Sequence, residues 1–334
     1  MRRRPSISDI AEETGVSIAT VSLALRDKGR MSDETRARVK ETAERVGYVP
    51  NASARSLVGG KTHLITISVP AIGTVPEAVS SVEYFFKLLG AAAARAIELD
   101  YGLLMTSPTD RPDRVGVDGA IVVDPAADDP TIAAFDRRGW PVVTIGRRVD
   151  DSSPEGGRSW EVDNDFVFAT NNVLDHLHER GSKSITLIAN EPIDSFQSDS
   201  IETYREWCSG HGMEPRVIMS KSPLPDDAAV AAAAALAGDS RPDAVYATVD
   251  TLAKAVIDQA GRQGIELPGQ LRIATCSDSH IASSTEPQLT TIDEKPVELG
   301  EAAVEMLISA ITDPESEPHQ VQLGTELIIR GSTA

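Results

Sequence analysis

The sequence is poor in cysteine, in long apolar runs and in positive charge. Of 334 residues only Cys208 and Cys276 are cysteines, too few for a disulfide framework. No apolar run approaches the roughly 20 residues needed to cross a bilayer. Arg2, Arg3 and Arg4 open the chain without an apolar stretch behind them, so a secretory signal is not expected. Signatures of catalysis are missing as well. No Gly-x-Gly-x-x-Gly follows a strand pattern, and no Gly-x-Ser-x-Gly occurs. Gly59-Gly60-Lys61-Thr62 has the tail of a P-loop, but the motif's first glycine falls on Arg55. His176 and His178 lie two apart on a predicted helix and do not share a face, so they are expected on the surface and not as metal ligands. The expectation is a soluble cytoplasmic protein with no catalytic residue, no cofactor and no metal.

Acidic residues outnumber basic ones by 51 to 32, a net charge of −19. That excludes a chain coated in nucleic acid along its length. The deficit is uneven, however: residues 1–60 carry +3 and the remainder −22. A slightly basic N-terminal module on an acidic body fits a local DNA-binding head. The length implies two or three domains, and 41% hydrophobic residues can bury a substantial core.

What is present is concentrated between Ser6 and Arg26. Ser6 can cap a first helix with Asp9 at its third position, and Gly15 falls where that helix must stop. Ser17 can cap a second helix, with Thr20 one turn on. Ile10, Ala11, Val16, Val21 and Leu25 would form the buried seam between them. Such a pair is either a helix-turn-helix or a plain packed αα-hairpin. A third helix is predicted from Ser32 to Gly47, with Val39, Ala43 and Val46 on one face. Ala52 to Gly60 reads as a two-turn helix, too short to persist alone.

After Lys61 the pattern becomes alternately strand and helix. Strands are predicted at residues 64–70, 101–105, 119–123, 142–145, 184–189, 217–219, 244–247 and 272–276, with one or two more between 320 and 329. Helices are predicted at 84–99, 132–138, 165–180, 201–211, 228–237, 252–263 and 298–311. This alternation predicts parallel doubly wound sheets, and the residue count suffices for two.

Ile7-Ser8-Asp9-Ile10-Ala11, Gly15-Val16-Ser17, Thr20-Val21-Ser22, Gly47-Tyr48, Pro50-Asn51 and Ala54-Arg55-Ser56-Leu57 resemble, in type and spacing, the head and hinge of the lactose/galactose repressor (LacI/GalR) family. Val117-Asp118-Gly119-Ala120-Ile121, Gly139-Trp140-Pro141-Val142-Val143, Val162-Asp163-Asn164 and Pro287-Gln288-Leu289-Thr290-Thr291-Ile292 resemble its effector domain. The resemblance covers nearly the whole chain. It implies a small all-α helix-turn-helix head (1–49), a hinge helix (50–60) and a two-lobed α/β body of periplasmic-binding-protein-like fold (61–334). The N-lobe would hold about 61–161 and 292–323, and the C-lobe about 162–291 and 324–334.

Carried over residue by residue, the resemblance implies DNA contacts from Ser6, Ser17, Ile18, Ala19, Thr20, Ser22, Leu23, Arg26, Tyr48, Asn51, Ala54, Arg55 and Leu57. It implies effector contacts from Tyr84, Phe85, Arg147, Asp163, Ser200, Asp250 and Ser277. Arg147, Asp163, Asp250 and Ser277 also follow predicted strands or stand at lobe crossings, where open α/β sheets bind ligands. Asp250 has a competing reading as a helix cap, and Tyr84 and Phe85 as lobe core. The sequence departs from the family pattern at Ile18, Ala19 and Leu23, which are apolar on the recognition helix. It departs again at Ser107–Val117, short and Pro-rich, at Ser200, where an Arg is common, and at Cys276-Ser277-Asp278, where an aromatic residue and two Asp are usual. The function implied is that of a transcription regulator, a repressor, binding operator DNA as a homodimer under control of a sugar-like effector. The alternative reading is a small-molecule binding protein without a DNA role.

Overall fold

The computed structural model describes residues 5–25, 27–48, 61–69, 79–106, 116–125, 129–148, 159–191, 194–238, 241–313 and 315–334. Arg2 to Arg4, Arg26, the predicted hinge helix with Asn51, Ala54, Arg55 and Leu57, and most of the Pro-rich Ser107–Val117 segment lie outside the described residues. By its internal contacts the chain divides into two compact units, Met1–Thr62 and His63–Ala334.

The first unit contains three helices among its described residues: α1 (Ile7–Thr14), α2 (Ile18–Leu25) and α3 (Asp33–Val46). Each start has a chemical cause. The Ser6 backbone N–H donates to Asp9 Oδ2 at 2.7 Å, and the Asp9 N–H donates to Ser6 Oγ, closing a capping box. Ser17 Oγ accepts from the Thr20 N–H at 3.1 Å, and Ser32 Oγ from the Thr35 N–H at 3.2 Å. Gly15 ends α1 at φ 72°, a conformation that only glycine adopts without strain. Ile10, Val21, Ala24, Val39 and Ala43 are buried at the centre, with Ala11, Val16 and Leu25 packed around them. Ala24 is fully buried among them, and Leu25, expected in the seam, packs half-buried at its edge.

Among its described residues the second unit is built on two six-stranded sheets. The first takes β1 (Leu64–Ser68), β2 (Gly102–Thr106), β3 (Ala120–Val123), β4 (Val142–Ile145), β5 (Trp160–Asn164) and β11 (Gln320–Leu323) in the order β11-β5-β4-β3-β1-β2, all parallel. The second takes β6 (Ile185–Asn190), β7 (Arg216–Ser220), β8 (Ala244–Ala247), β9 (Arg272–Cys276), β10 (Thr290–Asp293) and β12 (Glu326–Ile328) in the order β12-β10-β9-β8-β6-β7, with only β12 antiparallel. Central strands such as Ala120–Val123 and Val142–Ile145 are buried at every position, as parallel strands covered on both faces must be.

Helices cover both faces. On the first sheet, α4 (Val79–Glu98) and α11 (Pro296–Thr312) fill one side and α5 (Pro130–Asp136) the other. On the second, α6 (Phe166–Glu179) and α7 (Ser195–Gly210) face α8 (Pro225–Ala235) and α9 (Asp250–Gln263) across the strands. A short α10 (His280–Ser284) follows β9. The helices α4 and α11 meet closely at Gly300, where an added Cβ would stand 2.5 Å from the Leu88 carbonyl oxygen.

Three sequence expectations change here. The helix expected from Ile201 starts at Ser195, because Asp194 caps it by accepting from the Gln197 N–H at 2.8 Å. Strands β5 and β10 and helix α10 had no clear periodicity and were not foreseen. His176 is buried, not on the surface: its Nε2 lies 2.7 Å from Thr333 Oγ1, and desolvation holds its pKa below the usual histidine value.

Candidate functional site

Two regions gather exposed or convergent polar chemistry. The first is the outer face of α2. Ser17, Ile18, Ala19 and Leu23 are exposed there, while Thr20 and Ser22 are half-buried. The Ser17 and Thr20 hydroxyls lie 2.8 Å apart and hold the first turn. Tyr48 is half-buried against the head's core, its N–H donating to the Ala43 carbonyl at 2.9 Å.

The second region lies between the two lobes of the body, where the strand ends of both sheets converge. From the N-lobe come Asp124 after β3, Gly146 and Arg147 after β4, Asp163 in β5, and Tyr84 on α4. From the C-lobe come Asp194, Ser195 and Asp199 at the start of α7 and Ser277 after β9. Glu294 follows β10 at a crossing between the lobes. The Arg147 backbone N–H donates to Ser195 Oγ at 3.1 Å, and its guanidinium pairs with Asp199. A Cβ on Gly146 would stand 3.3 Å from Asp124 Oδ1 and 3.6 Å from Ser195 Oγ, so these groups surround that glycine. Asp124 at φ 45° and Ser277 at φ 78° are held in the left-handed region without being glycine, a strain found mainly at binding sites and turns.

Burial dominates the electrostatics. It pushes the Asp163 carboxyl up to about 7 even though the Asn164 N–H donates to it. It does the same to Glu294, also to about 7, against hydrogen bonds from Ser277 and Cys276. Asp124 is raised well above the carboxylate range by burial and then by Asp194, Asp163 and Glu294. Tyr84 is raised by burial and by Asp124, Glu294 and Asp163. These groups therefore share one poorly hydrated space. A cavity of about 280 Å³ opens at its edge, lined by Glu83, Tyr84, Lys87, Ser277–Ser279, Asp293, Glu294 and Pro296–Glu298. The lobes also meet there: the His280 N–H donates to Glu83 Oε2 at 2.7 Å, and Lys87 Nζ donates to the Asp278 carbonyl at 3.3 Å. Carboxylates, hydroxyls and one guanidinium around a desolvated cleft can hold a small polar ligand by charge-assisted hydrogen bonds. Among the described residues no cluster of His, Cys, Asp and Glu is arranged to hold a metal ion.

Residues 6–51 match the family described as bacterial regulatory proteins, lacI family, and residues 174–333 match the periplasmic binding protein-like domain. The HTH-type transcriptional regulator CelR of Thermobifida fusca is 28% identical over 99% of this chain and 99% of its own. Catabolite control protein A of Staphylococcus aureus is 24% identical over 98% and 99%. The chain belongs to the LacI/GalR family. It is a DNA-binding transcription regulator. The lac repressor dimer solved with operator and the anti-inducer ONPF has the same fold, at TM-score 0.80 and 19% identity over 99% of both chains. A CelR-cellobiose complex superposes at TM-score 0.69 with 24% identity, over 98% of this chain and 100% of that one.

In this LacI/GalR member the structure separates the residues expected at the effector site. Tyr84 and Phe85 both pack against the N-lobe core, their rings edge to face at 5.3 Å, and of the two Tyr84 also lines the cavity. Ser277 lines the cavity, and Arg147 and Asp163 border the cleft. Ser200 is fully enclosed, its hydroxyl 3.4 Å from Thr170 Oγ1. Asp250 is not a helix cap. Val249 holds the cap position of α9, and the buried Asp250 carboxylate accepts from the Ser279 hydroxyl, which in turn caps α10. Asp124, Asp194, Asp199 and Glu294 were missed. Asp124 was within reach, since it directly follows a predicted strand, by the same rule that found Arg147.

Proposed function

We propose that this regulator is a repressor that binds a palindromic operator as a homodimer in the cytoplasm, and that a small hydroxyl-rich ligand between its lobes controls operator affinity. The observation that carries this is the pairing, in one chain, of a capped helix pair with an exposed α2 face and a cleft where strand ends from two sheets bring desolvated polar groups together. The relatives support it: one solved structure is of CelR with cellobiose, another of a lac repressor dimer with operator. On this reading Ser17, Ile18, Ala19, Ser22 and Leu23 face the DNA, while Tyr84, Arg147, Asp163 and Ser277 face the ligand. The ligand shifts DNA affinity only by its unequal affinity for the two lobe arrangements, commonly about 1–3 kcal/mol.

The test uses the full-length protein to retain fragments of its own genome, which are then sequenced. Operator affinity is measured with and without cellobiose and a panel of other sugars. Enrichment of one palindromic sequence, bound more weakly as salt rises and altered by one of the sugars, is the expected result. Retention of no sequence above background would remove the DNA role.

A further inference from the structure

The apolar character of α2's outer face is unusual for a surface that meets DNA. From Ser17 to Leu25 the helix carries no Arg, Lys, Asn, Gln, Asp or Glu. It therefore has no side chain able to form the bidentate hydrogen bonds by which major-groove donor and acceptor patterns are read. Two of its hydroxyls, Ser17 and Thr20, are engaged with one another at the helix start. What the face offers instead is Ile18, 51% exposed in the first turn, with Ala19 beside it and Leu23 38% exposed one turn on.

Leu23 has a structural reason to be there. A Cβ on Gly29 would stand 3.0 Å from its Cδ1, so the side chain rests on the loop between α2 and α3. Ile18 has none: it does not belong to the head's apolar cluster, which gathers Ile10, Val21, Ala24, Val39 and Ala43. An isoleucine kept at half exposure gains little stability from its side chain. The head around it is net positive while the body is net negative, so the partner of matching charge is the DNA itself. In the major groove one base-edge group is apolar, the C5 methyl of thymine. The first turn of a recognition helix is the part that contacts base edges.

We infer that Ile18 reads the 5-methyl group of a thymine, so that one position of each half-site is recognised by a methyl group and not by a hydrogen-bond pattern. The inference rests on the DNA-binding reading above and adds the chemistry of one contact. It makes the contact indifferent to base pairing and sensitive to a single carbon atom.

Full-length protein is first used to select duplexes from a randomised library, which defines the half-site. Each thymine of that half-site is then replaced singly by deoxyuridine, which keeps every hydrogen-bonding group and removes only the methyl. At one thymine the replacement weakens wild-type binding by about fourfold, the factor to which ~0.8 kcal/mol for one buried carbon corresponds. In Ile18→Ala, whose fold is checked by circular dichroism, the two duplexes bind equally. Neutral deoxyuridine at every thymine for the wild type would overturn the inference, as would an undiminished penalty in Ile18→Ala. A selection that returns no sequence above the library average would overturn the DNA-binding reading itself, and with it the contact.

Discussion

Arg147 and Asp199 join the two lobes of the body across the cleft. Arg147 follows β4 of the first sheet, and Asp199 stands on α7 of the second. The arginine side chain is 47% exposed, so the pair adds little to global stability, less than about 1 kcal/mol. Its leverage is on the equilibrium between closed and open lobes. Asp199→Ala is expected to leave the unfolding midpoint nearly unchanged while enlarging the ligand-free radius of gyration in small-angle scattering. Unchanged scattering together with unchanged ligand response would show that the pair does not hold the lobes.

The cleft carboxyls give the body a pH dependence of known sign. Asp163 binds its proton up to about pH 7 in the folded state, whereas in the unfolded chain it ionises near pH 4. Between these values the folded state holds the extra proton, so stability falls as pH rises from about 4 to 7 and stays low above. Asp163→Asn removes that penalty. It is expected to stabilise the body at pH 8 by roughly 1–3 kcal/mol and to change little at pH 4. Urea unfolding at the two pH values measures it, and equal effects at both would refute the assignment.

Asp250 is 1% exposed and accepts from Ser279 at the start of α10. Asp250→Ala leaves a buried hydroxyl short of its acceptor and should cost about 1–3 kcal/mol in denaturant unfolding. Because the Asp250 charge helps to raise Glu294, the same variant should lower the Glu294 pKa, read by NMR titration of that carboxyl. A Glu294 pKa that does not fall would mean the two carboxylates do not share a field.

Gly300 sets the approach of α4 and α11. An added methyl would meet the Leu88 carbonyl oxygen at 2.5 Å and the Ala92 nitrogen at 3.2 Å, both backbone atoms that cannot swing aside. Gly300→Ala is expected to destabilise the body by about 1–3 kcal/mol despite alanine's better helix propensity. A gain in melting temperature would show that the helices can part without cost.

The sequence was readable where local chemistry decides structure. Ser6, Asp9, Gly15, Ser17, Ser32 and Gly47 act at the helix ends where their side chains or φ angles demand it. The buried runs at 120–123, 142–145, 244–247 and 273–276 announced central strands by composition alone. Legibility failed where partners come from far along the chain. His176 is buried because Thr333 and the edge of the second sheet close over it, and no local pattern carries that. Glu294 and Asp194 border the cleft only because two separate sheets turn their strand ends toward one another. Ser200, placed by its position in a family pattern, is enclosed beside Thr170 of the neighbouring helix, a contact between residues 30 apart that no local pattern carries.

The links between the lobes are short. Asp165 alone separates β5 from α6, Glu294 and Lys295 separate β10 from α11, and Gly324 and Thr325 separate β11 from β12. They are also tied to one another: Asn164 Nδ2 donates to the Glu294 carbonyl at 2.8 Å, and the Asp165 N–H donates to the Leu323 carbonyl at 3.2 Å. Two extended residues span at most about 7 Å, so the lobes can neither slide apart nor shift sideways. Three short tethers gathered at one place oppose translation far more than rotation, so a change at the cleft is expected to reach the rest of the body as an angle.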